Sequence, residues 1–578
     1  MTGLADPFDV RVARSASGLL LDFNDAGVLA AADVHVAGRL AALAGEDDPW
    51  VLLAAALAVR APRLRHVYVD LATASETTVV ETEEPVDLAA LPWPPAAEWV
   101  DAVRGSALAD GPLQLEGSRL YLDRYWREER RTAAAIQAFS GARPIDEAVL
   151  QGGLDRLFAA GDDVQRRAAA AALRRRFAVI AGGPGTGKTT TVARIVALLA
   201  EQPGPPPLVA LATPTAKAAK RLEEAIHDQA LRLDVAPAVR DVMLGLTPTT
   251  LHRLLGPRPG SNSRFRHHAA NRLPHDAVIV DETSMVSLSM MARLLEAIRP
   301  QARLVLVGDP AQLSSIEAGA VLSDIVGPGS ADGIVVLDRV YRYGQAIDSL
   351  ATAVRRGDAD AALDVLACAP PGVTWIDDGD VDVLREESVA AGRVLVEAGR
   401  SGDAATALDA LDRFRVLCAH RHGPSGVATW TREIEGWLAD AIPGFNVEPR
   451  WYPGRPLLVT KNDYGLGLFN GDAGVVVAGA EGRPQAAFRS ATFSPGRLEA
   501  VETVFAMTVH KSQGSQFGTA AVLLPDPGSR LLTRELLYTA ITRARERLVL
   551  AGSEEAIRAA VARPVARASG LGRLLWSD

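Results

Sequence analysis

The 578-residue chain has room for several domains, and its 48% apolar and 23% charged residues are the proportions of a globular protein. A net charge of −9 excludes a generally basic nucleic-acid coat but leaves a local basic channel open. The longest apolar run, Val51 to Val59, has nine residues, where a membrane span needs about 20. Cys368 and Cys418 lie far apart and fit a reducing cytoplasm. The N-terminus has no basic stretch followed by an apolar one, so no secretory signal is expected. No Cys/His cluster has zinc spacing, and His267-His268 reads as a solvated pair.

Residues 1–105 carry no nucleotide motif. Helical patterns run over Asp33 to Ala44 and Pro49 to Val59, followed by a strand-like His66 to Asp70. Residues 106–130 are expected to be a linker anchored by Tyr121, Tyr125 and Trp126. From 131 to 345, strands and helices alternate as in a parallel α/β sheet. Gln165 precedes the first strand by one helix, and its amide offers a donor and an acceptor suited to an adenine edge. Phe177 to Ala181 reads as a buried strand. Gly182-Gly183-Pro184-Gly185-Thr186-Gly187-Lys188-Thr189 follows, then a helix over Thr190 to Ala200. Strand, glycine loop and helix N-terminus are what a phosphate cradle requires. Lys188 would reach the β- and γ-phosphates of ATP and Thr189 would ligate Mg²⁺.

Further along, Thr213 to Lys220 and Thr249 to Leu255 place hydroxyls and cations at strand or helix ends. Thr215, Lys217, Thr250 and His252 are therefore candidates for polymer phosphates. Residues 256–274, with Arg264, Phe265 and Arg266, suggest a loop or duplex-splitting pin. Asp276 to Glu282 is an apolar strand ending in two acids. Asp281 suits a water-held Mg²⁺, and Glu282 suits orienting or deprotonating the attacking water. Leu304 to Leu313 is another buried strand, with Gln312 at its tip to sense the γ-phosphate.

Residues 346–578 are expected to form a second lobe, with a β-rich insertion near 430–507 marked by the Asn470-Gly471 turn. Tyr341 is counted with the nucleotide-binding residues. Arg342 beside it and Arg543 in Tyr538 to Arg545 are candidate arginine fingers. Met507 to Ser515 is small, polar and cationic. It suits backbone contact with a single strand through Thr508, His510 and Lys511. Only five of the 61 basic residues are Lys, and the residues two before them are Thr186, Thr215, Ala218, Val459 and Val509. None is acidic, so a nuclease core built on an acid-x-Lys pattern is not expected in this chain.

The strings GGPGTGKTT, TPTAKAA, TTLHRLL, VIVDETSM, LVGDPAQL, VYRY, TVHKSQGSQF and YTAITRARERL together resemble the ordered motifs of superfamily 1 helicases of the 5′→3′ branch, across residues 165–550. GRPLLVTKNDYGLGLFNGDAGVV, DDPWVLLAAALAVRAPRLRHVYVDL and LEGSRLYLDRYWREERR are similar to the RecD family. One departure is Ala216, where that family usually has Gly. The resemblance implies an α/β fold of two RecA-like lobes, with a small β-barrel-like insertion in the second and a mainly helical N-terminal domain. It also implies ATP-driven 5′→3′ movement on single-stranded DNA from duplex ends, beside RecB-like and RecC-like chains, with residues 1–105 docked on the latter. A nucleotide-switched regulatory subunit, a stand-alone helicase and an RNA helicase are the competing readings.

Overall fold

The computed structural model describes residues 11–80, 87–139, 141–258, 260, 264–327, 332–339, 344–377, 381–463 and 465–576. Tyr341 and Arg342 lie outside the described residues.

The N-terminal helices Ala31–Ala44 and Pro49–Arg63 form where expected, and Ala96–Gly105 adds a third helix that the sequence pattern did not announce. Pro49 occupies the first turn of its helix, where no amide partner is needed, and the Asp48 carboxylate caps Trp50 N–H at 2.8 Å. Phe23, Leu53, Leu57, Trp99 and Leu108 close a core around it. The Trp99 indole donates to the Trp50 carbonyl at 2.8 Å, so this buried ring is also satisfied.

The linker expected at 106–130 is instead structured. Leu113–Glu116 and Arg119–Leu122 form a hairpin, and the second strand pairs antiparallel with Tyr68–Asp70. Gly117, at φ 61°, makes the tight turn. Leu113 and Leu120 face the N-terminal core and are fully buried. This period-two pattern over two short strands explains the difference. Helix Asp123–Phe139 follows directly.

Residues 177–337 build a six-stranded parallel sheet. Its order is Thr249–Thr250, Val209–Thr213, Ala277–Val280, Arg303–Gly308, Phe177–Gly182, Ile334–Leu337. Its strands are apolar almost throughout, as a sheet covered on both faces demands. A second, five-stranded parallel sheet runs Val373–Ile376, Ala544–Ala551, Phe517–Leu523, Phe414–Cys418, Ala506–Thr508.

The insertion in the second lobe begins later than the sequence pattern suggests, because Val427–Ala441 is a helix. Its five antiparallel strands are ordered Thr492–Phe493, Pro484–Phe488, Ala473–Ala478, Pro456–Val459, Val501–Thr503. Among the described residues the two outer strands do not pair with each other, so the sheet is open where a barrel was expected. Leu457, Val476 and Phe488 form its own small core.

After the second sheet the chain returns to the first lobe and the N-terminal domain. Val67 N–H donates to the Ala568 carbonyl at 2.7 Å and Ala568 N–H to His66 Nδ1 at 2.9 Å. Leu571 is buried in the first-lobe core, and the Trp576 indole donates to the Asp324 carbonyl at 2.7 Å. Glu129 accepts from Gly570 N–H at 2.7 Å and from the Ser569 hydroxyl at 3.0 Å. Ser569 Oγ also lies 2.6 Å from Asp324 Oδ2.

Burial pushes Glu129 up to about 7 and Asp324 up to about 6, against the hydrogen bonds that favour their ionised forms. Both folded values lie above the ordinary carboxylate range. The stability tied to Glu129 is therefore complete below 4.5 and falls as pH rises through about 7. Thermal melting followed from about pH 5 to about pH 8 should show wild type losing stability relative to Glu129→Gln, which stays neutral throughout. Parallel pH profiles for the two proteins would contradict this.

Candidate active site

Parallel strands deliver all their C-terminal ends to one edge. In the first lobe that edge carries Gly182, Thr213, Val280 and Gly308, and the loops after them hold the sequence-predicted groups. The phosphate loop turns tightly, with Gly185 at φ 84° and Gly187 at φ 81°. A Cβ on Gly187 would collide with Gln165 Nε2, and one on Gly183 would lie 2.8 Å from the Tyr538 hydroxyl. The loop is braced from within and behind. Thr186 Oγ1 donates to Gly183 O at 2.8 Å, and Gln165 Nε2 donates to Thr186 O at 3.0 Å. Gln165 Oε1 accepts from Arg194 at 3.2 Å, so both ends of this amide are used inside the protein. Helix Lys188–Ala200 starts at the loop with its N-terminus toward it. Lys188 Nζ folds onto the Gly182 and Gly183 carbonyls at 2.7 and 2.8 Å.

Asp281 and Glu282 stand beside this lysine. Glu282 adopts a left-handed φ of 54°, which is strained for a residue with a side chain, and its N–H donates to Asp281 Oδ1 at 2.7 Å. Burial and the neighbouring Glu282 charge push Asp281 upward, while Lys188 and that N–H oppose the shift. Asp309 is buried, accepting from Gln312 Nε2 at 2.9 Å and from the Tyr538 hydroxyl at 3.1 Å. Tyr538 belongs to the second lobe, as do Thr539 and Gln513, which bond to Leu313 N–H and Leu313 O at 2.9 and 2.7 Å. The buried Arg543 lies across from the acids. Its guanidinium donates to the Thr539 and Ser515 carbonyls, each at 3.0 Å.

Pro184, Gly185, Gly187, Lys188, Thr189, Thr190, Asp281, Glu282, Gln312 and Arg543 thus line one cavity of about 650 Å³ between the lobes. Its wall also contains Phe469, Asp472 and Arg489 of the β insertion and Arg221 of the first lobe. Sequence reasoning missed these. Arg221 donates to the Gly514 carbonyl across the lobes. Only the nearness of Lys217 and Lys220 in the same short string hinted at it.

The strand-contact candidates divide. Lys217, expected on a polymer, lines the cavity. Burial, then the charge of Arg221, pulls it down to about 8. The Thr215 hydroxyl caps helix Ala216–Arg232 by accepting from Ala218 N–H at 3.2 Å. Away from the cavity, Thr250 caps the short helix Leu251–Leu255 through Arg253 N–H at 3.2 Å, leaving His252 exposed against Phe265. Phe265 is buried in the first-lobe core, so this part of the expected pin lies on the lobe rather than projecting from it. Residues 259 and 261–263 of that segment lie outside the described residues. Thr508 Oγ1 accepts from Lys511 N–H at 3.2 Å, and the Lys511 ammonium pairs with Glu502. His510 Nε2 lies 3.4 Å from Arg65 of the N-terminal domain.

Two parallel-sheet lobes facing each other across a phosphate loop define a two-lobed P-loop NTPase of helicase type. Comparison with known families agrees: an AAA domain matches residues 161–369, and a UvrD-like helicase C-terminal domain matches residues 503–551. The N-terminal domain of RecBCD enzyme subunit RecD matches residues 25–121. The chain is 52% identical to RecBCD enzyme subunit RecD of Mycolicibacterium smegmatis, over 95% of this chain and 98% of that protein. It is 50% identical to the same subunit of Mycobacterium tuberculosis, over 98% and 99%. The ATP-dependent RecD2 DNA helicase of Deinococcus radiodurans is 30% identical, over 77% of this chain and 57% of that protein. The chain belongs to the RecD family of RecBCD enzyme subunits.

Gly187→Ala should strain the loop and dislodge Gln165. Titration with a fluorescent ATP analogue should show affinity lowered roughly tenfold or more. Unchanged affinity would show that the loop does not grip phosphate in this conformation.

Proposed function

We propose that this chain is the ATP-hydrolysing motor of a RecBCD-type helicase–nuclease, moving 5′→3′ on single-stranded DNA during double-strand break repair. The observation that carries this reading is the interlobe cavity, where Lys188, Asp281, Glu282 and Gln312 of one lobe face Arg543 of the other. Lys188 would leave the loop carbonyls for the β- and γ-phosphates, for which its charge is the better match. Glu282 orients or deprotonates the attacking water. Gln312, hydrogen-bonded to Asp309, reports the γ-phosphate to the second lobe through Tyr538. Arg543 stabilises charge in the transferring phosphoryl group, and Arg342 is assigned the same work from the sequence. Gln165 steadies the loop, and Tyr341 completes the nucleotide set.

Thr189 and Asp281 both line the cavity and supply the hard oxygen ligands that Mg²⁺ prefers, so the donor set fits this ion. When bound, Mg²⁺ would offset phosphate charge. Lys217 and Thr215 join the nucleotide cavity to the strand-contacting surface. Thr250, His252, Thr508, His510 and Lys511 are retained as DNA contacts. No described helix is long and apolar enough to cross a membrane, and we place the chain in the cytoplasm, with RecB-like and RecC-like partners. Residues 1–105 are assigned to docking on the RecC-like chain. Cleavage is assigned to a partner chain, since no lysine here follows an acid at the required spacing. The likeness to the Deinococcus helicase supports a second reading, in which the chain unwinds DNA alone.

ATP hydrolysis stimulated by single-stranded DNA should fall about 100-fold or more in Lys188→Ala and in Glu282→Gln. Stimulated turnover left intact in both variants would overturn the motor. Unwinding of 5′-tailed but not 3′-tailed duplex, lost in Lys188→Ala, tests the direction. Comparing the chain alone with the chain purified alongside RecB-like and RecC-like partners separates the two readings.

A further inference from the structure

Besides its contacts with the Ala568 backbone, the N-terminal domain touches the second lobe at a basic junction. Arg65, held at φ 73°, points Nη1 to within 3.4 Å of His510 Nε2. Its carbonyl accepts from Gly319 N–H at 3.2 Å. Arg567 reaches the same loop, donating to the Gly319 and Ser315 carbonyls at 2.8 and 3.0 Å, while its Nε is buried without a partner. Among the described residues no carboxylate forms an ion pair with Arg65, His510 or Arg567. Of these three side chains only Arg567 feels Asp324 and Glu535, and each carboxylate accepts a hydrogen bond elsewhere. Desolvation, then the charges of Arg65 and Arg567, brings His510 down to about 4. At neutral pH its imidazole is thus uncharged and can donate one N–H. Arg65 is pulled down by burial alone. Three parts of the chain therefore gather two guanidiniums and a neutral imidazole that form no ion pair among the described residues and remain partly open to solvent. Ile316, in the loop whose ends Arg567 holds, is 68% exposed.

We propose that Arg65, His510 and Arg567 form a phosphodiester site for single-stranded DNA, so that the N-terminal domain takes part in gripping the strand. A diester carries one negative charge and two free oxygens. That matches a guanidinium and a neutral imidazole separated by one hydrogen-bond length. This assignment rests on reading residues 507–515 as strand-contacting. It adds Arg65, which stands outside every helicase motif in the sequence. An acidic protein segment would be drawn to the same charges. The location between the lobes, next to Thr508 and the Ser315–Gly319 loop, favours a strand that crosses both.

The test uses the full chain, oligo-dT and a salt series. Arg65→Gln and Arg65→Lys carry the same backbone strain, so their difference reports charge. Arg65→Gln should bind oligo-dT about tenfold more weakly at low salt. Its slope of log affinity against log salt should be shallower than wild type by about 0.7, the loss of one phosphate contact, while Arg65→Lys keeps the wild-type slope. A wild-type slope in Arg65→Gln would overturn the site while leaving the motor intact. Loss of RecC-like co-purification in Arg65→Gln, with the slope unchanged, would overturn it in favour of an acidic protein partner. Failure of wild type itself to bind oligo-dT would defeat the motor reading as well.

Discussion

Leu313 joins the two lobes. Its side chain lies in the hydrophobic core of the second lobe, although it belongs to the loop after the first-lobe strand Arg303–Gly308, which ends five residues earlier than the sequence pattern suggests. Both of its backbone groups are bonded to second-lobe side chains, Thr539 and Gln513. The preceding residue is Gln312, whose amide is bonded to Asp309, and Asp309 is bonded in turn to Tyr538. A rigid core cannot shift one side without moving what it holds. Any rotation of the second lobe is therefore delivered to Gln312 and Asp309, at the mouth of the phosphate loop. Conversely, a ligand that displaces the Gln312 amide acts on the residue next to the lobe junction.

The charges around the cavity are arranged for such a response. Lys188 rests on carbonyl oxygens, Arg543 rests on carbonyl oxygens, and Asp281 accepts from a backbone N–H. Each is satisfied within its own lobe, and none of these three is neutralised by an ion pair among the described residues. A polyphosphate offers Lys188 and Arg543 a charged partner in place of a neutral one, and charge-assisted hydrogen bonds are roughly twice as strong as neutral ones. The strained backbone at Glu282 fits the same pattern, since strain persists where surrounding structure over-determines it. Away from the cavity the C-terminal segment works differently. It inserts Leu571 into the first-lobe core and places Ser569 between two buried acids. It thereby ties the end of the chain to the first lobe, while His66 and Val67 tie it to the N-terminal domain.

Much of the first lobe was legible because its motifs are local. Within a few residues, Phe177 to Lys188 encodes a buried strand, a turn needing left-handed glycines and a helix start. Asp281 and Gln312 follow apolar runs of strand length, and parallel pairing then brings their tips to a common edge. The hairpin at Leu113–Leu122 was also written in the sequence, as alternating leucines around Gly117. Reading its aromatic residues as linker anchors obscured that alternation. The open β insertion and its later start escaped for a different reason. Short half-buried strands and an amphipathic helix such as Val427–Ala441 carry weak local signals beside the strong turn at Asn470-Gly471.

By itself, the sequence determined the kind of chemistry: a phosphate loop, acids at strand ends, and arginines placed after them. Each of these depends on spacing within one strand–loop–helix unit, which backbone geometry turns into structure wherever the unit lies. Tertiary structure alone decided which side chains share a space. It placed Lys217 in the wall of the interlobe cavity and brought the β insertion to the same wall. It set His510 against Arg65, 445 residues away in the chain. Contacts at that separation leave no period in the sequence. They arise when separately folded surfaces bury their apolar residues together, and the polar groups that meet there are fixed by that packing.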